Sequence, residues 1–254
     1  MRPSTESIGE EQAKLLTDDS YRRERYDPRP GDVMYLHLSD LKLALEGIKS
    51  MAAIDVLDFG CGGSPYRALF PNARYVRADL QGTEDVDCVI DHNHRVNLPD
   101  ESFDLILSTQ VVEHVSDPDI YFDECHRLLR TGGQLVLSSH GIFEDHGCPF
   151  DFHRWTADGI ATDLRAEGFD VIHSVKITTG PRAILFLLDR LCPQLPRRTV
   201  AGLALWTLMK LMSVNRRRFH RQIDAFLKDH RVVPSEVRRD GIYIGFLVAA
   251  VKCT

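Results

Sequence analysis

The chain has 254 residues, 43% hydrophobic and 27% charged, with a formal net charge of -6. That is the composition of an ordinary soluble protein, long enough for one α/β domain or for one domain with an appended subdomain. The acidic balance excludes bulk attraction to nucleic acid, whose binders carry a basic excess. The six cysteines include no CxxC pair, which speaks against structural zinc and for reduced thiols in a cytoplasmic protein.

Residues 1–31 are polar and Arg-rich toward their end, and read as a lead or lid segment in which Tyr21, Arg22 and Tyr26 are the lid candidates. They lack the apolar core of a secretory signal. From Asp32 the spacing of Leu36, Leu38, Leu41, Leu43, Leu45 and Ile48 predicts an apolar helix. Ile54–Asp58 follows as a short buried strand, broken by Gly60-Cys61-Gly62-Gly63, after which Ser64 and Pro65 suit the start of a helix. Strands are expected over Tyr75–Ala78, ending at Asp79, over Val86–Ile90 and over Phe103–Ser108. Asp117 and Pro118 open another helix, which Thr131-Gly132-Gly133 ends before a fifth strand, Gln134–Ser138. A helix over Thr156–Glu167 and a sixth strand over Val171–Ile177 complete an alternation that implies a parallel sheet with helices on both faces.

The tail departs from that rhythm. Two apolar helical stretches, Ala183–Leu191 and Val200–Met212, and the basic run Arg216-Arg217-Arg218 precede a last strand, Ile242–Val251. The expected organisation is a lead over 1–31, a core over 32–180 and 241–254, and a helical insertion over 181–240. No apolar run reaches bilayer length. The insertion reads as a flap or a homodimer contact, and its adjoining apolar and basic stretches also suit a peripheral lipid contact.

Chemistry concentrates after the first strand. Glycines there let a ligand approach the backbone, and open α/β sheets bind ligands beyond the carboxyl ends of their strands. The pattern is D-x-G-x-G-G from Asp58, not the G-x-G-x-x-G of dinucleotide folds. Asp79 lies 21 residues beyond Asp58, the place for a carboxylate that accepts from both hydroxyls of a ribose.

Val56–Pro65, Ala78-Asp79-Leu80, Leu98–Ile106, Val112-Glu113-His114-Val115 and Leu128–Gly133 together resemble the successive motifs of class I S-adenosylmethionine-dependent methyltransferases, in particular the subgroup acting on small molecules and glycans. The resemblance covers about residues 50–180. It implies a Rossmann-like, seven-stranded, mostly parallel sheet with an antiparallel last strand, and S-adenosyl-L-methionine as cofactor. It further implies that Gly60 and Gly62 lie against the cofactor's methionine part, that Asp58 orients its ammonium, and that Asp79 and Leu80 hold ribose and adenine. Asp91 falls where relatives bind the adenine amino group, and Thr109 and Gln110 where they face the methionine moiety. Leu80 as core, Asp91 as a turn cap and Thr109 as a helix cap are the alternatives.

A second cluster, Ser138–Thr156, resembles a stretch of methyltransferases from polysaccharide and secondary-metabolite gene sets, with His153 where an aromatic residue is usual. A hydroxyl nucleophile benefits from losing its proton, which suits a histidine with a pKa near about 6.5. His140 is the first candidate base and His146 the second; both also fit as ligands of loop backbone. Arg154 and Trp155 either bind an acidic or sugar acceptor or pin the loop. Glu144, Asp145, His146, Asp151 and His153 are compatible with a divalent metal, but their spacing is that of a solvated loop, so none is expected. The expected activity is O-methyl transfer to a hydroxyl of a sugar, glycan or secondary metabolite. N- or C-methylation, a nicotinamide oxidoreductase and a noncatalytic cofactor-binding partner are the rivals.

Overall fold

The computed structural model describes residues 19–81, 83, 86–147, 150–191, 199–237 and 241–253. The first part of the lead, Cys148, Cys192 and the side chains of Tyr21 and Arg22 lie outside the described residues. In chain order the elements are α1 (Asp19–Tyr26), α2 (Tyr35–Glu46), β1 (Asp55–Phe59), β2 (Arg74–Asp79), β3 (Cys88–Val89), β4 (Phe103–Thr109), α3 (Pro118–Leu128), β5 (Leu129–His140), α4 (Ala157–Ala166) and β6 (Phe169–Thr179). They continue with α5 (Gly180–Leu191), α6 (Val200–Val214), α7 (Arg216–Phe226), β7 (Val232–Pro234) and β8 (Tyr243–Lys252).

The strands form one sheet in the order β3-β2-β1-β4-β5-β8-β6-β7. β1 to β5 run parallel, while β8 inserts antiparallel to both β5 and β6. From β1 the chain winds outward through β2 and β3; it then returns to β4 on β1's other side. The order therefore reverses between β1 and β4, the switch point at which open α/β sheets bind ligands.

Side chains of successive residues alternate between two cores. Leu57, Ile106, Leu135 and Leu137 face a layer with Tyr121, Phe122 and Cys125 of α3 and Ile160 and Leu164 of α4. Val56, Leu105, Leu107 and Val136 face the other layer, with Leu41 and Leu45 of α2. The α3 helix begins where the sequence places it: the Asp117 side chain accepts from Ile120 N–H and Pro118 sits in the first turn. Thr156 caps α4 in the same way, accepting from Gly159 N–H.

Several expectations are corrected. The sheet has eight strands, not seven: the 181–240 segment contributes β7, a three-residue edge strand on β6. Its Pro234 lacks a donor, which an edge tolerates. No α-helix follows Ser64-Pro65. Ser64 adopts φ 49°, which is incompatible with a helix start, and only a short 3-10 turn forms over Arg67–Leu69. Thr131-Gly132-Gly133 does not end α3; it forms a bulge inside β5, between the Phe103–Leu129 and Leu105–Gln134 pairs. The third strand shrinks to Cys88–Val89, Ile90 making only an isolated bridge to Val96. The basic run Arg216–Arg218 is the first turn of a further helix, α7.

The helices after β6 are tied to α2 by charge. Asp40, fully buried, accepts from Arg182 Nε at 2.6 Å and from Arg231 Nε at 2.6 Å. Beside this knot, Tyr35 and Leu36 of α2 pack with Ala183 and Phe186 of α5 and Ile223 of α7.

Candidate active site

The loop after β1 is built by the strand ends beneath it. Gly60 and Cys61 both donate backbone N–H to Ala78 O, at 2.9 and 3.0 Å, which folds the loop across β2. Gly60 (φ 77°) and Gly62 (φ 50°) occupy the left-handed region that favours glycine. A Cβ on Gly60 would lie 2.5 Å from Val111 Cγ2, so Val111 seats directly on that glycine, and the exposed part of the loop is at Gly63. Asp79, buried at the end of β2, accepts from Gly62 N–H at 2.6 Å and Leu80 N–H at 2.8 Å. The Cys61 thiol also approaches its Oδ2 at 3.8 Å, and the Thr83 hydroxyl bonds the same carboxylate. Leu80 is 43% exposed, which removes the reading of it as core. Asp58 is buried and accepts from Tyr75 OH at 2.7 Å. Burial pushes its carboxyl up to about 7 against the pull of that hydrogen bond.

Asp91 is exposed in the turn after β3, and its Oδ1 accepts from Asn93 N–H (2.8 Å) and Arg95 N–H (2.9 Å). That is the turn-capping arrangement. Thr109, half-buried, ends β4 against Ser138 of β5. Gln110 follows with φ 55°. Its side chain turns toward α1 and α2, not along the Asp58–Asp79 rim: Oε1 accepts from Arg25 at 2.9 Å, and Nε2 lies 2.8 Å from His37 Nε2 and 3.4 Å from His140 Nε2.

This network fixes proton positions. Arginine only donates, so the Gln110 oxygen faces Arg25 and its amide nitrogen donates to His37 Nε2 at 2.8 Å. His37 therefore carries its proton on Nδ1. Both rings are buried and neutral: burial drives His37 down to about 3 and His140 well below its ordinary value. Phe143 stacks on His140 with ring centroids 4.1 Å apart.

Beneath His140 lies Glu113, fully buried in the 3-10 turn Val112–His114 that follows β4. Its Oε2 accepts from Ser139 Oγ at 2.8 Å, and its Oε1 sits 3.4 Å from His140 Nε2. Burial pushes its carboxyl up to about 7. His146, part-exposed, packs edge-on to both His114 and His140, with ring centroids 4.9 and 5.2 Å away. Both candidate bases are thus brought to one cluster, at the carboxyl ends of β4 and β5.

Arg154 pairs through both terminal nitrogens with Asp151 and bonds Glu144 O at 3.1 Å, while Trp155 Nε1 donates to Asp163 at 2.8 Å. Both pin the loop. Glu144 pairs with Arg190. The loop acids therefore do not form one ligand group. Sequence reasoning missed His37, Glu113 and Arg25. A lone glycine within β8 was one available signal, because a Cβ at Gly245 would meet His37 Cε1 at 2.9 Å.

Residues 57–137 match the methyltransferase domain family. Among curated proteins, the chain is 29% identical over 118 residues to a ubiquinone biosynthesis O-methyltransferase of Maricaulis maris, covering 37% of this chain and 44% of that protein. It is 33% identical over 102 residues to one of Cereibacter sphaeroides, covering 33% of this chain and 40% of that protein. The matched segment thus spans less than half the length of these relatives. Among solved structures, a chain of the complex between the Haloferax volcanii Trm112 methyltransferase activator and a methyltransferase superposes with a TM-score of 0.58 at 17% identity, over 96% of this chain and 98% of that one. The Haemonchus contortus phosphoethanolamine N-methyltransferase 2, in complex with S-adenosyl-L-methionine, superposes with a TM-score of 0.51 at 17% identity, over 96% and 60%. Residues 57–137 are therefore similar to a methyltransferase domain, and the chain shares its fold with these solved structures.

Proposed function

We propose that this chain is an S-adenosylmethionine-dependent O-methyltransferase acting on a hydroxyl of a small molecule, within the class of sugars, glycans and secondary metabolites. The observation that carries the reading is adjacency. A rim with an exposed glycine turn and a ribose-type carboxylate stands at the sheet's switch point, and a buried, neutral histidine pair stands beside it at the ends of β4 and β5.

The residues present fit the cofactor. Asp79 ends β2 at the place where a carboxylate accepts from ribose hydroxyls, exposed Leu80 offers an apolar face to adenine, and Asp58 is a buried carboxylate that gains from a nearby ammonium. Asp91, committed through one oxygen to its turn, is at most a peripheral contact. When bound, the cofactor supplies a methyl group activated by a sulfonium. Protein side chains then position the nucleophile and take its proton. His140 is the base, with Gln110 and Glu113 against its Nε2; His146 at the open edge of the cluster is the alternative. Arg25 and Gln110 fix the histidine pair and bring α1 over it. The names of the curated relatives agree with oxygen as the acceptor atom. Among the described residues no helix is long and apolar enough to cross a membrane; the apolar and basic stretches of the 181–240 segment suit a homodimer contact or a surface-lipid contact.

The mechanism is tested by turnover of His140→Ala on a panel of hydroxylated acceptors. Loss of a general base lowers kcat by about 10²–10⁴-fold while cofactor affinity holds. Turnover near the wild-type rate would remove His140 from the role.

A further inference from the structure

Glu113, His114 and His146 bring three ligand-capable side chains together outside the groups already assigned to the cofactor. His114 Nδ1 lies 2.6 Å from Phe150 O. A carbonyl only accepts, so the proton is on Nδ1 and the lone pair on Nε2. His146 Nδ1 lies 3.2 Å from Glu144 O and 3.3 Å from Asp151 Oδ2, which assigns its proton and its lone pair in the same way. Glu113 Oε1 is buried without a hydrogen-bond partner, while Oε2 is held by Ser139. Ligand-capable atoms of Glu113, His114 and His146 all lie within 4.8 Å of one another.

We propose that Glu113, His114 and His146 form a divalent-metal site. Three features favour a cation over a chance cluster. The carboxylate is fully buried with one oxygen unspent, and a buried polar atom is ordinarily satisfied. Both histidines give their distal N–H to a backbone carbonyl or a carboxylate, the outer-shell arrangement that orients metal-bound imidazoles. The ligands also sit on differently anchored segments: the turn after β4 carries two of them, and the loop after β5, pinned by Arg154 to Asp151, carries the third. Two nitrogens and one oxygen suit Zn, Mn, Fe, Co or Ni over Mg or Ca, and three protein ligands leave open positions, as in catalytic sites.

The site borders the proposed base, since Glu113 Oε1 is 3.4 Å from His140 Nε2. Its part in turnover rests on the O-methyltransferase reading; the binding site itself does not. An acceptor hydroxyl at an open position becomes more acidic. Its O–H bond breaks, the electron pair stays on oxygen, and the proton passes to His140 Nε2. No oxidant or reductant is involved.

Chelator-treated, full-length protein titrated with Co²⁺ tests this through visible d–d absorption and metal content after gel filtration. Saturable uptake of one equivalent is expected. His114→Ala and His146→Ala should abolish the band, Asp151→Asn should weaken affinity by about 10–100-fold, and His153→Ala, in the same loop, should leave it unchanged. His146 is part-exposed on a loop, so its variant folds, as circular dichroism will check. Absence of saturable uptake by the wild type, or full uptake by His146→Ala, overturns the site. Calorimetry of the same metal-free protein with S-adenosylhomocysteine separates the two readings: cofactor binding without Co²⁺ uptake rejects only the metal, and Co²⁺ uptake without cofactor binding rejects only the methyltransferase.

Discussion

Asp58, the proposed partner of the cofactor's ammonium, is held buried at a cost. Its carboxyl is buried, accepts from Tyr75, and is raised by burial from 3.8 to about 7. The folded pKa lies above the unfolded one, so the group's contribution to stability is fully present below 3.8 and lost as pH rises toward 7. Asp58→Asn keeps a partner for the tyrosine hydroxyl and removes the titration. The melting temperature of the cofactor-free variant, minus that of wild type, should therefore grow between about pH 4 and pH 7. A difference that stays flat across that window would contradict the assignment. Glu113 carries a shift of the same sign, but it is present in both proteins and cancels.

Residues of this kind were unequally legible. Asp58 and Asp79 stand out because a carboxylate beside glycines, at a fixed distance along the chain, is a pattern within one strand–loop–strand unit. His37 was hidden because it sits between Leu36 and Leu38 in a helix read as apolar, and its partners come from 73 and about 100 positions away. Glu113 lay inside a recognised motif, but its burial and its pairing with Ser139 depend on how β4 and β5 register. Gln110 was placed at the right strand end and given the wrong neighbours, because a positive φ redirects its side chain.

Among elements, strands were read well wherever a buried run alternated between two faces, as in β1, β4 and β5. Failures fell where backbone geometry outweighed composition. Ser64 at positive φ prevents the helix that Pro65 suggests, and the Gly132–Gly133 bulge lies within a strand. The seam of α2 against α5 and the segment before β7 is held by Asp40, Arg182 and Arg231, which no periodicity reveals. Removing one partner of a buried ion pair strands the other charges. Asp40→Ala is therefore expected to destabilise the protein by about 3–5 kcal/mol in denaturant melts. A cost below about 1 kcal/mol, the range of an exposed pair, would show that the knot is solvated.

For the whole molecule, topology and site agree. The strand order reverses between β1 and β4, the glycine turn and Asp79 lie on one side of that reversal, and the histidine cluster lies on the other. On the proposed function, gripping a nucleoside and deprotonating an acceptor meet along a single edge of the sheet. The helices after β6 complete the wall behind His37 through Phe186, so the segment most unlike the core still borders the site. The most direct test is calorimetry of the intact protein with S-adenosylhomocysteine, alongside Asp79→Ala. Saturable binding is predicted, weakened about 10- to 100-fold in the variant, the loss expected of about 1.5–3 kcal/mol of charged hydrogen bonding. No heat of binding in the wild type, or equal affinity in both proteins, would contradict the account.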